Sequence, residues 1–425
     1  MQTLASLDPG QIDRILRSAN ATHAATQNAG RVFCEWETHR LHSCFQPIVS
    51  FSHRAVVGHE GLVRAHDAAG TPISPPTLLR QASDAGALIS LDRMCRYLHL
   101  TQAAALKLSG YLFLNMHPLA FAHLDATDGG SDLRDLLAQC GVPADRIVIE
   151  ITEDVLQDDS TFESSVNYLR RIGCQIALDD FGAGHSNFDR VWRLRPEIVK
   201  LDRDFAVRAE QSEDAHRLLP QIVELLHEAG SLVLLEGIET AEQARIAMSA
   251  DVDFAQGYYF GRPQPDAAGE SQAVAAIDAV WASYDAAQAD HRGHFRQSVA
   301  AYVNAIGHAA AVLADRRPID QAIEMFLGLD GAMRCYLLDD KGFQMSRNLA
   351  LRGKAAPSGF RPEVDSARSR WSHRPYFRRA LESPGRVCIT RPYLCISSAI
   401  LCLTVSISFR IDGQLRVLCG DVAWA

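Results

Sequence analysis

Between residues 41 and 265, short apolar runs alternate with longer stretches whose apolar residues recur at helical spacing. The runs are CFQPIVSF (44–51), AVVGHEGLV (55–63), YLFLNM (111–116), RIVIEIT (146–152), QIALDDF (175–181), EIVKLD (197–202), SLVLLEGI (231–238) and DFAQGYYF (253–260). Near-continuously apolar runs separated by helical segments predict a closed parallel barrel of the α/β class, an eight-stranded TIM-like (β/α) fold. One pair departs from that rule. Only Ser52, His53 and Arg54 separate Phe51 from Ala55, whereas a parallel crossover needs about a dozen residues. The first two strands therefore predict an antiparallel hairpin and an irregular barrel.

The flanks read differently. Residues 1–40 read as an amphipathic helical segment, with Ile12, Ile15 and Leu16 at helical spacing. Residues 266–315 are rich in Ala and predict two connecting helices. Residues 316–425 carry strand candidates at 334–340, 386–396, 399–409 and 414–424. The last three follow one another with only turns between, which predicts an antiparallel meander in a smaller α+β domain with a PAS-like sheet.

Composition narrows the class. The 425 residues are 47% apolar and 22% charged, the balance of a globular protein. No apolar run reaches the ~18–20 residues of a membrane span, and the first residues lack a secretory pattern. A cytoplasmic protein is expected. The net charge of −9 argues against binding a nucleic-acid polymer. Of the ten cysteines, Cys34 and Cys44 flank His39 and His42 closely enough to raise a zinc site, although the spacing matches no finger pattern.

The chemistry concentrates at strand ends. Glu60, Asn115, Glu150 with Glu153, Asp179 with Asp180, Lys200, Glu236 and Gln256 each follow or end an apolar run. In a barrel these ends converge on one face. A lone acid there is usually a cap or a solvated loop residue. Six carboxylates on four strand ends would instead repel one another without positive charge. All-oxygen ligands favour Mg²⁺ or Mn²⁺ over zinc, and two such ions about 3.5–4 Å apart suit a phosphodiester displacement. Lys200 is placed to take a proton from the attacking water or to stabilise developing charge.

These blocks resemble the EAL family of cyclic di-GMP phosphodiesterases over residues 41–265. The signature stands as Glu60-Gly61-Leu62 followed by Arg64, with FQPI (45–48), LNMHP (114–118), EITE (150–153), DDFGAGHSN (179–187), VKLD (199–202), EGIET (236–240) and QGYYFGRP (256–263) in order. The resemblance implies hydrolysis of cyclic di-GMP to linear pGpG by a homodimer using two Mg²⁺ or Mn²⁺ ions. It places Glu60, Asn115, Glu150 and Asp179 on the first ion and Asp180 on the second. Lys200 would act on the nucleophilic water, and Glu236 and Gln256 would complete the network. Gln46 and Arg64 would hold substrate, with Leu62 and Pro263 beside it, and Glu153 would anchor the DDFGAGHSN loop. Gly61 stands where Ala is usual, with little effect expected because the following helix is read as distant. His185 and Asn187 stand where Tyr and Ser are usual, which touches regulation more than catalysis.

In the second domain, Trp371, Arg374, Tyr376, Phe377 and Ala380, with Tyr393 and Asp421, look like the ligand pocket of PAS-like and Cache-like sensors. The blander reading is that these residues pack a sheet against a helix. A small-molecule ligand there, controlling the barrel, is the expectation. The alternative for the whole chain is a catalytically silent barrel that binds the messenger and signals by contact.

Overall fold

The computed structural model describes residues 26–28, 31–122, 124, 129–152, 160–183, 188–350, 367–395 and 400–424. The chain divides into two compact units, Met1–Ala287 and Gln288–Ala425.

The first unit contains strands β1 (Thr26–Asn28), β2 (Arg31–Trp36), β3 (His39–Ser50), β4 (Ala55–His66), β5 (Pro72–Ile73), β6 (Tyr111–Asn115), β7 (Ile147–Thr152), β8 (Gln175–Phe181), β9 (Ile198–Leu201), β10 (Leu232–Leu235) and β11 (Phe254–Gln256). Eight of them close on themselves in the order β3-β11-β10-β9-β8-β7-β6-β4, with β4 returning to β3. Strand β3 is antiparallel to both neighbours, β4 and β11. The other barrel pairings are parallel. All eight apolar runs of the sequence correspond to barrel strands, and the hairpin falls where the short connection required it.

Residues 31–40 are not helical. Strand β2 buries Val32, Cys34 and Trp36 while Arg31 and Glu35 stay exposed, a period of two rather than 3.6. Its apolar face packs with Leu41, Leu91, Met94 and Leu98. Ile12, Ile15 and Leu16 lie outside the described residues. The same alternation separates the suspected zinc ligands. Cys34 and Trp36 pair with Leu41 and His39, and Phe33 pairs with His42. Cys34 and His39 thus share one face, His42 and Cys44 the other, so the four do not converge.

Helix α1 (Ala85–Leu106) covers this end of the barrel. Its N-cap Asp84 accepts from the Ala87 amide, and Lys107 closes it in the left-handed region at φ 55°. Buried Asp92 pairs with Arg96 one turn on and accepts from the His117 amide at 2.9 Å, fixing the loop just after Asn115.

Where two connecting helices were expected there is one, α2 (Glu270–Ala314). No proline interrupts it, and its two glycines, Gly293 and Gly307, cost only ~1 kcal/mol each. The second unit holds a sheet ordered β12 (Ala332–Leu338), β16 (Gln414–Ala423), β15 (Leu401–Ile411) and β13 (Cys388–Ile389), with β14 (Tyr393–Leu394) also on β15. All its pairings are antiparallel. Both faces are covered. Leu403, Val405, Leu418 and Val422 pack with Ile323 and Phe326 of α3 (Ile319–Leu327). Tyr336, Val417 and Cys419 pack with Tyr376, Phe377 and Ala380 of α4 (Pro375–Glu382). Among the described residues, no helix is long and apolar enough to cross a membrane.

Candidate active site

Alternation along the barrel strands builds the site in two storeys. Ile48, Phe113, Val148, Ala177, Ile198 and Leu234 are buried together as an apolar floor, with Phe254 packed on it. Two residues along each strand, on the same face, come Gln46, Asn115, Glu150, Asp179, Lys200, Glu236 and Gln256. Glu60 joins them through its register with Gln46. An apolar run ending in a polar residue at i+2 is therefore what places each group above the floor.

Lys200 is the hub. Its side chain is 1% exposed, and Nζ lies 2.5 Å from Glu150 Oε1, 3.0 Å from Asp179 Oδ1 and 2.5 Å from Glu236 Oε1. Burial alone would lower its pKa, but Asp179, Glu150 and Glu236 outweigh it and hold the ammonium above its ordinary value. Asn115 Nδ2 donates to Glu60 Oε1 at 2.8 Å. Gln256 Nε2 donates to Glu60 Oε2 at 2.7 Å and to Gln46 Oε1 at 3.2 Å, and Gln46 in turn donates to the Gly261 carbonyl. Burial opposes ionisation of Glu60, yet Lys200 and these amides bring its pKa below the ordinary value. Glu150 goes the other way, pushed well up by burial and by Glu60. Burial also raises Glu236 to about 8.

Asp179 follows Ala177 by plain alternation, and Asp180 joins it through a backbone irregularity. The β8–β9 register shifts between Leu178 and Phe181, and Asp180 sits at φ 56°. A bulge of this kind re-aims side chains that plain alternation would send to opposite faces, and a non-glycine residue in the left-handed region marks local strain. Gly237, beside Glu236, also has positive φ, and a Cβ on it would meet Arg203 Cβ at 2.2 Å. Only glycine fits there.

Five carboxylates (Glu60, Glu150, Asp179, Asp180, Glu236) against one lysine leave a formal charge of −4. Ligand oxygens of Asp179, Asp180 and Glu236 lie within 4.8 Å of one another. Both Glu150 oxygens and Asp179 Oδ1 are buried without a hydrogen bond among the described residues. Lys200 Nζ meets Glu150 Oε1 and Asp179 Oδ1 as ion pairs. A surplus of hard oxygen donors with uncommitted lone pairs fits divalent ions of the Mg²⁺ or Mn²⁺ kind.

A cleft of about 230 Å³ opens over Gln46, Glu60, Glu236 and Gln256, and is also lined by Arg203, Glu239 and Tyr258. Arg203 and Tyr258 were not singled out from the sequence. Arg203 opens the helix Arg203–Gln211 directly after VKLD, and Tyr258 lies in the turn of QGYYFGRP, positions that no periodicity marks. Arg262 stacks on the half-exposed Tyr258 ring at 4.1 Å. Arg64, Leu62 and Pro263 do not line this cleft. Arg64 instead donates to the Val63 carbonyl. Glu153, His185 and Asn187 lie outside the described residues. Gly61 is not indifferent: His99 of α1 packs directly on it, within 2.8 Å of where a Cβ would be, so the helix read as distant is in contact.

The EAL domain family model matches residues 29–263, more than half of the chain, and the chain belongs to that family. It is 28% identical over 225 residues to the cyclic di-GMP phosphodiesterase PdeF of Escherichia coli, covering 52% of this chain and 29% of PdeF. It is 32% identical over 157 residues to the cyclic di-GMP phosphodiesterase RocR of Pseudomonas aeruginosa, covering 36% of this chain and 39% of RocR. The chain spans well under half the length of these relatives. In fold it is similar along 99% of its length to all of the Bacillus subtilis YkuI protein, a protein with an EAL domain solved with cyclic di-GMP and calcium, at TM-score 0.75 and 20% identity.

Proposed function

We propose that the chain is a metal-dependent phosphodiesterase that opens cyclic di-GMP to linear pGpG. The observation that carries this reading is the buried Lys200 ammonium held among Glu150, Asp179 and Glu236, beneath a cleft with a surplus of carboxylates. Glu60, Asn115, Glu150 and Asp179 would hold one Mg²⁺ or Mn²⁺ and Asp180 the second, with Glu236 and Gln256 completing the set. When bound, the ions supply Lewis-acid activation of water and neutralise charge at the phosphodiester. Asn115 and Gln256 orient Glu60 by hydrogen bonds to both of its oxygens. Lys200 keeps its proton and presents fixed positive charge where the pentavalent phosphorus develops negative charge. Gln46 would contact the nucleotide inside the cleft, Arg64, Leu62 and Pro263 would meet the part of it that extends beyond those walls, and Glu153 would anchor the loop after Asp180. The cluster resides on rigid strand ends, so little reorganisation is needed as charge moves.

A sheet covered on both faces with a cavity on one supports reading the second unit as a PAS-like module; its control of the barrel, and a homodimeric enzyme, are part of the same proposal. The testing experiment is pGpG formation by the purified chain with Mg²⁺ or Mn²⁺, read by chromatography alongside cyclic di-GMP binding. Turnover that vanishes on chelation and returns with metal is expected. Saturable binding with no pGpG under either metal would overturn the enzyme and leave a silent messenger-binding effector.

A further inference from the structure

The second unit brings two cysteines together beside one arginine. Strand β14 sets Tyr393 opposite Cys402 and Leu394 opposite Leu401 on β15. One residue on, the Cys395 amide donates to the Ile400 carbonyl at 2.9 Å. Cys395 lies two positions beyond Tyr393, so its side chain and that of Cys402 share one face of the sheet. The two are 4% and 0% exposed. Their sulfurs and a carboxylate oxygen of Asp421 lie within 4.8 Å of one another.

Arg334 sets the chemistry of this pair. Its Nε donates to Asp421 at 2.7 Å, and its Nη2 donates to the Cys395 sulfur. A charged donor on sulfur favours thiolate over thiol. Cys402 is the complement. Its hydrogen bond with Cys395, and then burial, push its thiol up, so it keeps its proton and donates it to Cys395. Burial pushes the thiols of Cys34 and Cys174 up to about 12, the behaviour of inert structural cysteines. Two sulfurs and a carboxylate are also the donor set of a metal site. Here Arg334 already holds Cys395 and one Asp421 oxygen, while Thr404 and Tyr336 donate to the other. A dication would have to displace a fixed positive charge.

We propose that Cys395 and Cys402 form a peroxide-sensitive thiol pair that closes to a disulfide. The Cys395 thiolate attacks one oxygen of hydrogen peroxide, forming an S–O bond as the O–O bond breaks. The departing hydroxide takes a proton from solvent and leaves as water. Sulfur has then lost two electrons to the peroxide, and Cys395 is a sulfenic acid. Cys402 next attacks the Cys395 sulfur, the S–S bond forms, the S–O bond breaks, and the Cys402 proton leaves with the hydroxide as a second water. Strand β14 is two residues long, so a local opening of that strand suffices to admit peroxide. The pair borders the gap lined by Trp371, Arg374, Tyr376 and Tyr393 and depends on no guest there. It is also independent of the barrel's reaction.

The test is exposure of the reduced full chain to hydrogen peroxide, followed by alkylation and peptide mapping. A Cys395–Cys402 disulfide should form and be reversed by dithiothreitol. Cys402→Ser should stop at the Cys395 sulfenic acid, trapped by dimedone, and Cys395→Ser should abolish both products. Arg334→Gln should slow the oxidation at least about tenfold. That variant also strips Asp421 of its partner, so a comparison within the parent decides the matter if it does not fold. Cys395 should react before Cys388, although Cys388 is the more exposed. Faster oxidation of Cys388, pairing of Cys395 with another cysteine, or no disulfide would overturn the proposal. So would zinc that stays on the purified chain and is lost in Cys402→Ser, which would make the pair a metal site.

Discussion

Gly61 and His99 share one packing site: the missing Cβ of Gly61 is the space that the His99 imidazole fills, 3.1 Å from His99 Cβ and 2.8 Å from Cγ. His99 is held there by Ser43 at 2.9 Å, and Ser43 lies on the strand paired with β4. Gly61→Ala should overpack the contact and destabilise the protein by ~1–3 kcal/mol. The double variant with His99→Ala should cost less than the two single changes added together, because the second removes the obstacle to the first. Urea unfolding of the four proteins measures the coupling. Strict additivity would mean that the strand and helix adjust freely.

Buried neutral histidines make the fold acid-labile. Burial lowers His99 to about 3 and His59 to about 4, against ~6.5 for a solvated imidazole. The unfolded chain therefore binds more protons between pH 6.5 and 4, so stability is present above pH 6.5 and is lost as pH falls. Each histidine contributes a slope approaching 1.4 kcal/mol per pH unit within that window. Denaturation midpoints from pH 7.5 to 4.5 should show it, and His59→Gln should flatten the curve. An unchanged slope would show that His59 is protonated in the native state.

Lys200 is the one cation among five acids. Replacing it with Met removes that charge from a site where it is fully buried, and the metal-free protein should lose ~3–5 kcal/mol. Mn²⁺ should restore part of the loss, while pGpG formation stays at least 100-fold below the parent. Calorimetric melting in chelator and in Mn²⁺, with turnover measured beside it, covers both effects. Turnover within tenfold of the parent would remove Lys200 from the chemistry.

Asp180 combines strain with function. Asp180→Gly relieves a left-handed backbone and one of several crowded carboxylates, and should raise the stability of the metal-free protein by ~0.5–1 kcal/mol. Turnover should nevertheless fall by at least 100-fold. A gain in stability without loss of activity would show that Asp180 holds no metal needed for the reaction.

What the sequence made legible follows from periodicity. Runs such as QIALDDF and EIVKLD announce both a strand and the polar residue at its end, so floor and site were readable together, from Ala177 to Asp179 and from Ile198 to Lys200. What stayed hidden lacks a local signal. Gly61 and His99 are 38 positions apart and meet only because α1 folds back on β4. Arg203 opens a helix and Tyr258 lies in a turn, and neither position is marked by periodicity. RVFCEW is short enough that its two-residue alternation was absorbed into a helical reading of everything before residue 41. The bulge that turns Asp180 toward the site shows in the register, not in the residues.

The antiparallel seam also sets an order of events during synthesis. Strand β3 bonds to β11 through Val49–Ala255 and Ile48–Gln256, and Phe45 exchanges two backbone hydrogen bonds with Gln264. More than 200 residues separate these partners, so the cylinder cannot shut until the segment near Gln264 has left the ribosome. Until then the nascent chain carries the early hairpin and β10 with unpaired edges, the kind of surface that recruits other strands. Closure at so long a sequence separation is also slow. Demand for chaperones should therefore concentrate late in translation of the first unit, after most of its strands exist but before the one that completes the ring.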